Sequence, residues 1–372
     1  MIRIEEINQK HNRVKELLER LHVKGILLKT QANFCWFTAG GSNEVTIADT
    51  LGVSSILVTR DHRYIISNRI ESARMMEDEG LQDLQFILVE YEWYEGNEYE
   101  AVKSIIDPNE VVCDVSGYGY LSKQEDINFL RYQLMQPEIE RYLWLGQKAS
   151  QAVEAALYMA KPGMSECMVT AEVLRKLWYD RIDSVCNQAA ADERSRKYRH
   201  AIATEKKIDK YLMLNVNARK WGLVTTITRC VFFGAIPNSL YKQYEDNTII
   251  ECEMMAATKV GVPVREVLQK AKELYQQRGY PDEWKLHHQG GAQGYRNREY
   301  LVYPDSKQIV LENQCFCWNP SIAGEIYGTK SEDAFIVTKD GPLMITKPAS
   351  FPSMNITVGL IEFNRPKILE IK

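Results

Sequence analysis

The stretch LMLNVNARKWGLVTTITR, residues 212–229, constrains the fold of this chain more than any other. It reads as two β-strands joined by a polar, glycine-containing turn. We place the centre of that turn between Lys220 and Trp221. Asn215 and Thr226 then lie directly opposite each other, with Cβ atoms about 5 Å apart. The sequence therefore predicts two side chains that converge on one ligand from the face of an antiparallel sheet.

Strand and helix patterns alternate in the N-terminal third of the chain. Residues 5–22 place apolar side chains at helical spacing, and GILLK (25–29) is predicted to be a buried strand. SSILVTRDHRYIIS (54–67) has the pattern of a hairpin with Asp-His at its turn. The alternation continues to about residue 115 and predicts an α/β domain over residues 1–135.

The remaining sequence changes from helical to strand-rich patterns. A long amphipathic helix begins near residue 137, and after residue 200 the strands are interrupted by one predicted helix, VPVREVLQKAKELYQQRG. This pattern predicts an α+β domain over residues 136–350, in which helices pack on one antiparallel sheet. Residues 351–372 form a predicted tail whose apolar patches pack on a surface.

Composition excludes several classes of protein. Of the 372 residues, 45% are hydrophobic and 26% charged, as in ordinary globular proteins. The net charge of −4 argues against a nucleic-acid partner, and no apolar run of about 18 residues predicts a membrane span. The N-terminus has the pattern of a charged amphipathic helix and not of a signal peptide. Eight scattered cysteines in mostly apolar segments indicate reduced thiols, so we expect a cytoplasmic protein.

Four motifs follow one another in the second domain: KPGMSE, the hairpin ending in TITR, HHQGGAQGYRNR and GTKSEDAFIVT. Their order and spacing resemble those of the creatinase / aminopeptidase P / prolidase family, the M24 peptidases with the pita-bread fold. NFCWFTAG and the hairpin at 54–67 resemble the N-terminal domain of those proteins. The resemblance reaches to about residue 345. It implies a creatinase-type α/β domain before a pita-bread domain, and a homodimer, which is usual in the family.

Peptidases of this family bind two metal ions through two Asp, one His and two Glu. The resemblance puts the two Asp at Asn215 and Thr226, and the ligand His at Gly291. The first Glu falls on Asn319, and only the second is kept, as Glu332. Because hard divalent ions need several anionic oxygens or imidazoles, we expect no metal and no other cofactor.

Creatinase works without a metal, also has Asn in the first Asp position, and uses a His as acid and base. That His falls on His200, and the resemblance therefore implies that His200 carries protons. His287 or His288 would assist, and Glu332 would hold the polar centre or the attacking water. The residues alone leave other interpretations open. His200 can be a polar-loop residue, the two adjacent histidines can sit beside glycines needed only for the backbone, and Glu332 can be an ion-pair partner.

Further side chains are predicted to contact substrate: Asn215, Thr226, Asn319, Tyr295, Arg296 and Arg298. The position of Arg298 is that of a further family His, and the two arginines suit a carboxylate. A solvated charged face for the arginines and a core position for Tyr295 remain alternatives. Arg229 at the end of TITR is predicted to neutralise a neighbouring carboxylate, and Cys315 and Cys317 are predicted to be buried small residues.

These features predict a metal-independent, creatinase-like hydrolase or other C–N bond-cleaving enzyme. Its partner would be a small amino-acid-like or amidino/guanidino substrate. One alternative is a catalytically silent M24 homologue that binds a peptide or protein. Another is an aminopeptidase P-like (Xaa-Pro) peptidase with a remodelled site.

Overall fold

The computed structural model describes residues 2–372, and the chain folds into two compact units. The first unit ends at Glu138, and the second comprises Ile139–Lys372. No helix within residues 2–372 is both long enough and apolar enough to cross a membrane.

The first unit is a mixed α/β sheet. Its elements are α1 (Arg3–Leu21), β1 (Gly25–Thr30), α2 (Gln31–Phe37), β2 (Leu51–Thr59), β3 (Arg63–Asn68), α3 (Arg69–Met76), β4 (Ile87–Tyr91), α4 (Glu98–Lys103), β5 (Val111–Cys113), β6 (Leu121–Ser122) and α5 (Gln124–Phe129). The strand order is β4-β3-β2-β1-β5-β6, with β1–β2 and β2–β3 antiparallel and the other pairs parallel. All six residues of β1 are buried, as a central strand covered on both faces requires. The predicted α/β class and the hairpin at 54–67 are confirmed.

The second unit is built on a larger, curled sheet. The elements from the long helix onward are α6 (Gln136–Met159), α7 (Glu166–Trp178), β7 (Asp183–Ala191), α8 (Arg194–Lys197), β8 (Tyr211–Lys220), β9 (Leu223–Phe233), α9 (Asn238–Ala257), α10 (Val264–Gln277), β10 (Gly290–Gln293), β11 (Tyr300–Leu301), β12 (Cys315–Trp318), β13 (Ser321–Ile322), β14 (Thr329–Lys330), β15 (Asp333–Thr338), β16 (Gly341–Met344), β17 (Ser353–Val358), β18 (Ile361–Pro366) and β19 (Leu369–Ile371). The main path of the sheet is β11-β10-β12-β15-β9-β8-β7, all antiparallel, with β16 added on β15 and β19 on β9. This is the predicted α+β pita-bread architecture. The last residues form the β17–β18 hairpin and the parallel strand β19.

The expectation of one helix after residue 200 was wrong, because α9 precedes α10. Eleven of the 20 residues of α9 are buried, including polar Asp246, Asn247 and Glu251. A helix surrounded by protein does not need the single apolar stripe that reveals a surface helix. Its sequence therefore lacks the periodic signal that marks α10.

The register predicted for the central hairpin was also wrong. Trp221 and Gly222 form a two-residue turn with φ of 54° and 78°, as a type I′ turn requires, and this turn centre lies one residue later than predicted. Asn215 consequently pairs with Thr228, and Thr226 pairs with Asn217. Since directly paired residues and alternate residues share a face, all four side chains still lie on one face of the sheet.

A buried network of charges underlies the start of β15. Asp333 accepts hydrogen bonds from Nη1 of Arg229 at 3.0 and 3.1 Å, and its Oδ2 lies 2.9 Å from Nη2 of Arg365. Arg365 also pairs with Glu251, and Nε of Arg229 lies 3.6 Å from Glu154. The side chains in this network have no exposed surface. The prediction that Arg229 neutralises a carboxylate is confirmed.

Replacing Arg365 by Met is expected to lower the free energy of unfolding by about 3–5 kcal/mol, because it leaves buried carboxylates without their partner. Urea denaturation followed by circular dichroism measures this loss. Lys285→Met is the matched control, because that ion pair with Asp282 is exposed and should leave the midpoint nearly unchanged. Equal midpoints for Arg365→Met and the wild type would show that the network does not stabilise the fold.

Candidate active site

A polar pocket of about 170 Å³ opens on the face of the large sheet that carries Asn215. Three of the four predicted catalytic residues line it: His200, His288 and Glu332. His200 lies in the segment between α8 and β8, His288 lies just before β10, and Glu332 lies just before β15. Arg298, from the connection between β10 and β11, completes this part of the wall.

Both carboxylate oxygens of Glu332 already have hydrogen-bond donors. Oε1 accepts from Nη2 of Arg298 at 2.9 Å and lies 3.7 Å from the Cys317 thiol. Oε2 accepts from Nδ2 of Asn215 at 2.6 Å and from Oγ1 of Thr228 at 3.2 Å. Glu332 is therefore an ion-pair partner of Arg298, the alternative that the residues alone had left open.

Three histidine rings meet at one side of the pocket. Nε2 of His287 lies 2.9 Å from Nε2 of His200, and the rings of His287 and His288 have centroids 4.2 Å apart. His287 is buried behind the lining, whereas His200 is exposed. One nitrogen from each of the three rings lies within 4.8 Å of the other two, and three imidazole nitrogens at such distances could bind one metal ion.

The surroundings keep these imidazoles neutral. Burial is the largest cause that lowers the pKa of His287, and the positive charge of Lys330 lowers it further. Burial and Arg298 lower the pKa of His288 to about 4. The pKa of His200 is also lowered, first by burial and then by Lys330. At neutral pH the three rings are therefore proton acceptors, as a general base must be.

Lys330 is a cation in this pocket that the sequence did not single out. Its side chain is 3% exposed, and burial lowers its pKa; the negative charge of Glu332 opposes this shift, whereas Arg298 and Arg199 add to it. The residue stands two positions before Glu332, so strand alternation puts both side chains on one face. That spacing in GTKSEDAF was the signal that could have revealed it.

The other predicted substrate contacts divide into two groups. Asn319 lines the pocket together with Asn215 and Arg298. Thr226 is buried and accepts a hydrogen bond from Nε2 of Gln293 at 2.7 Å, and it is not among the described lining residues. Neither Tyr295, which is buried, nor Arg296 is among them.

Sequence reasoning also missed four smaller lining residues: Cys186, Gln188, Asn217 and Asn297. Asn217 follows Asn215 by two positions on β8, so the strand period of the hairpin contained the signal for it. Cys315 and Cys317 are fully buried, as expected. Burial raises the pKa of both thiols, that of Cys315 to about 12.

Comparison with known proteins identifies the family. The sequence profile of metallopeptidase family M24 matches residues 144–339, more than half of the chain. The chain belongs to metallopeptidase family M24. The Bacillus subtilis protein YkvY, provisionally named a dipeptidase, is 26% identical over 239 residues. That match covers 62% of this chain and 65% of YkvY, slightly under two thirds of the relative's length.

Solved structures show the same fold at low sequence identity. The Xaa-Pro dipeptidase from Bacillus anthracis is 19% identical, has a TM-score of 0.79 and matches 98% of this chain and 100% of its own. The prolidase from Pyrococcus horikoshii OT3 is 18% identical, has a TM-score of 0.77 and matches 91% and 98%. The N-terminal domain of the FACT complex subunit SPT16 from chickpea is 13% identical, with a TM-score of 0.69 over 92% and 97%. The M24 fold is thus found in peptidases and in a protein whose name mentions no peptidase.

The residues of this M24 protein do not fit the two metal ions that the family name implies. Asn215 points amide hydrogens at Glu332, and Arg298 provides the positive charge beside that carboxylate. A Cβ at Gly291 would lie 2.2 Å from the carbonyl oxygen of Tyr300, so β11 occupies the space that a histidine would need. The single remaining carboxylate cannot hold two divalent cations.

The neutral histidines predict how stability depends on pH. Unfolded histidines take up protons near pH 6.5, whereas folded His288 does so only near pH 4, so acidification from 6.5 to 4 favours unfolding. His288→Gln is expected to reduce this acid-side loss, measured as the change in urea midpoint between pH 7 and pH 5. His62→Gln, an exposed turn substitution, is the control. An unchanged slope in His288→Gln would contradict the neutral, buried state of that ring.

Proposed function

We propose that this M24 protein is a hydrolase that cleaves a C–N bond in a small amino-acid-like substrate without the two-metal centre of its family. His200 acts as the acid and base, and the wall formed by Arg298, Glu332 and Asn215 binds the polar part of the substrate.

The observation that carries this proposal is the state of Glu332. In a metallopeptidase site this carboxylate would neutralise cations, but here a guanidinium neutralises it at 2.9 Å and an amide donates to it at 2.6 Å. His200 faces the same pocket and its pKa is lowered, so it accepts a proton at neutral pH. A pocket wall of charged and polar groups beside a neutral imidazole supports acid–base chemistry.

The proposed reaction is the hydrolysis of a C–N bond. His200 removes a proton from water as the water oxygen forms a bond to the substrate's carbonyl-type carbon. The imidazolium then returns that proton to the leaving nitrogen as the C–N bond breaks. His287 positions His200 through the contact of 2.9 Å between their Nε2 atoms, which orients the His200 ring.

The names of the relatives support the class of substrate. YkvY, the Xaa-Pro dipeptidase and the prolidase are named for dipeptides, which contain a C–N bond between two small units. The pocket has a volume of about 170 Å³, below the roughly 300–1,000 Å³ usual for drug-sized ligands. This small volume favours a substrate no larger than a dipeptide.

A metal-dependent hydrolase is the second candidate, and the three-histidine group favours it. Three imidazoles with one open position form a known catalytic zinc ligand set. Two features oppose it here. The Nε2 atoms of His200 and His287 approach each other at 2.9 Å, and Lys330 and Arg298 add positive charge that repels a cation.

The test combines metal analysis of the purified protein with a turnover screen of dipeptides, N-acyl amino acids, lactams and amidino or guanidino acids. We expect metal well below one ion per chain, and at least one compound whose turnover is unaffected by chelator. His200→Gln should lower that turnover about 10²–10⁴-fold, the usual contribution of a general acid–base residue. His62→Gln should retain the wild-type rate.

Each remaining outcome contradicts the proposal in a different way. Near-stoichiometric metal that is lost in His288→Gln, together with chelator-sensitive turnover, would establish the three-histidine alternative. Compounds that raise the melting temperature but are never turned over would favour the silent binding module, the role compatible with the SPT16 likeness. A His200→Gln variant as active as wild type would remove His200 from the mechanism.

A further inference from the structure

Lys330 is a buried lysine that forms no direct ion pair, and Glu332 supplies the favourable charge that acts on it most strongly. Its side chain is 3% exposed, and its Nζ donates one hydrogen bond, to the carbonyl oxygen of Arg199 at 3.2 Å. Within residues 2–372 no carboxylate lies within the 4.0 Å of an ion pair to Nζ. A buried charge without a direct partner is destabilising, so its presence in a pocket wall indicates that a ligand completes it.

The charges around the pocket do not cancel. Arg298 and Glu332 neutralise each other as a pair, and His200 and His288 are neutral at pH 7. Lys330 is left over, so the described lining carries a net charge of +1. A ligand with one negative charge would bring the occupied pocket to neutrality.

Three buried amide oxygens in the wall have no donor. Oδ1 of Asn217, of Asn297 and of Asn319 lacks a hydrogen-bond partner, and the side chains of Asn217 and Asn319 are 7% and 3% exposed. Nε of Arg298 also lacks an acceptor. The wall therefore requires a ligand that offers N–H or O–H donors on one part and acceptor oxygens on another.

A positively charged donor does not suit this wall. An ammonium or guanidinium group would need an anionic partner, and Glu332 is the sole carboxylate in the described lining. Both of its oxygens are already bonded to Arg298, Asn215, Thr228 and Cys317. The free acceptors are neutral groups, among them the amide oxygens of Asn217, Asn297 and Asn319, and these match the N–H of a neutral amide.

We propose that the pocket binds a small monoanion in which a carboxylate stands beside a neutral amide N–H, the class of N-acyl and N-carbamoyl amino acids. Lys330 binds the carboxylate, and Asn217 and Asn319 accept from the N–H groups. This inference rests on the proposed function and specifies its substrate. Hydrolysis of such a compound adds OH to the acyl carbon and H to the nitrogen, releasing an amino acid and a carboxylic or carbamic acid.

The proposal is tested with five matched probes, using calorimetry for the dissociation constant and thermal melting for stability. N-acetylalanine and N-carbamoylglycine have the predicted groups, N-acetylalaninamide lacks the carboxylate, and alanylalanine and guanidinoacetate carry a cation. We expect the first two to bind at least about tenfold more tightly than the other three, because they make the charge-assisted contact without bringing an unpaired cation into the pocket.

Two variants and a control separate the contacts. Lys330→Met should weaken N-acetylalanine at least about tenfold while melting at or above the wild-type temperature, because it removes an unpaired buried charge. Asn217→Asp should shift the preference toward alanylalanine by giving its ammonium a carboxylate. Lys285→Met, a change at an exposed lysine, should bind all five probes like the wild type.

Tighter binding of alanylalanine or guanidinoacetate than of N-acetylalanine would overturn this inference, and so would wild-type affinity in Lys330→Met. If Lys330→Met does not fold, an unchanged probe preference in Asn217→Asp decides against the inference. The proposed function fails separately. N-acetylalanine and N-carbamoylglycine that bind as expected but are never hydrolysed would leave the ligand class intact and refute the hydrolase.

Discussion

The site depends on the buried pairing of Asp333 with Arg229 and Arg365. Strand alternation makes the segment 330–333 two-sided. Ser331 donates to Glu251, and Asp333 lies in the charge network, whereas Lys330 and Glu332 face the pocket. A one-residue slip would exchange the two faces. The network opposes that slip, because it would move Asp333 away from Arg229 and Arg365 and leave two buried guanidinium groups without that carboxylate.

A guanidinium pairs with the single carboxylate of the described pocket lining. In a two-metal site, several anionic ligands and two divalent cations balance one another. Here the described pocket lining has one carboxylate, Glu332, and Arg298 pairs with it. Space is limited as well, because β11 packs against Gly291. Charge and shape therefore both oppose the binding of two divalent cations in this pocket.

The resemblance of the motifs to the M24 family predicted the fold and implied a site containing His200, His288, Glu332, Asn215 and Arg298, and these five residues line one pocket. The sequence analysis did not predict the features that depend on contacts between residues far apart in the chain. The register of the hairpin depends on a positive φ at Trp221, which a non-glycine residue adopts rarely. The bonding of Glu332 depends on Arg298, 34 residues away, and on the path of the loop between β10 and β11. The spacing of Lys330 and Glu332 in the sequence already puts both side chains on one face. That Lys330 forms no ion pair can be seen only in the structure, because it depends on where the neighbouring carboxylates lie.

Buried polar groups without partners help to distinguish a ligand-binding pocket from the remnant of one. A fold used only as a scaffold gains stability when a former pocket is filled by apolar side chains, because buried polar groups without partners are unfavourable. This pocket instead keeps an unpaired ammonium at Lys330 and unpaired amide oxygens at Asn217 and Asn319. Such groups lower the stability of the empty protein and are compensated when a ligand binds. Their concentration around His200 favours a pocket that works on small molecules over a remnant that has lost its role.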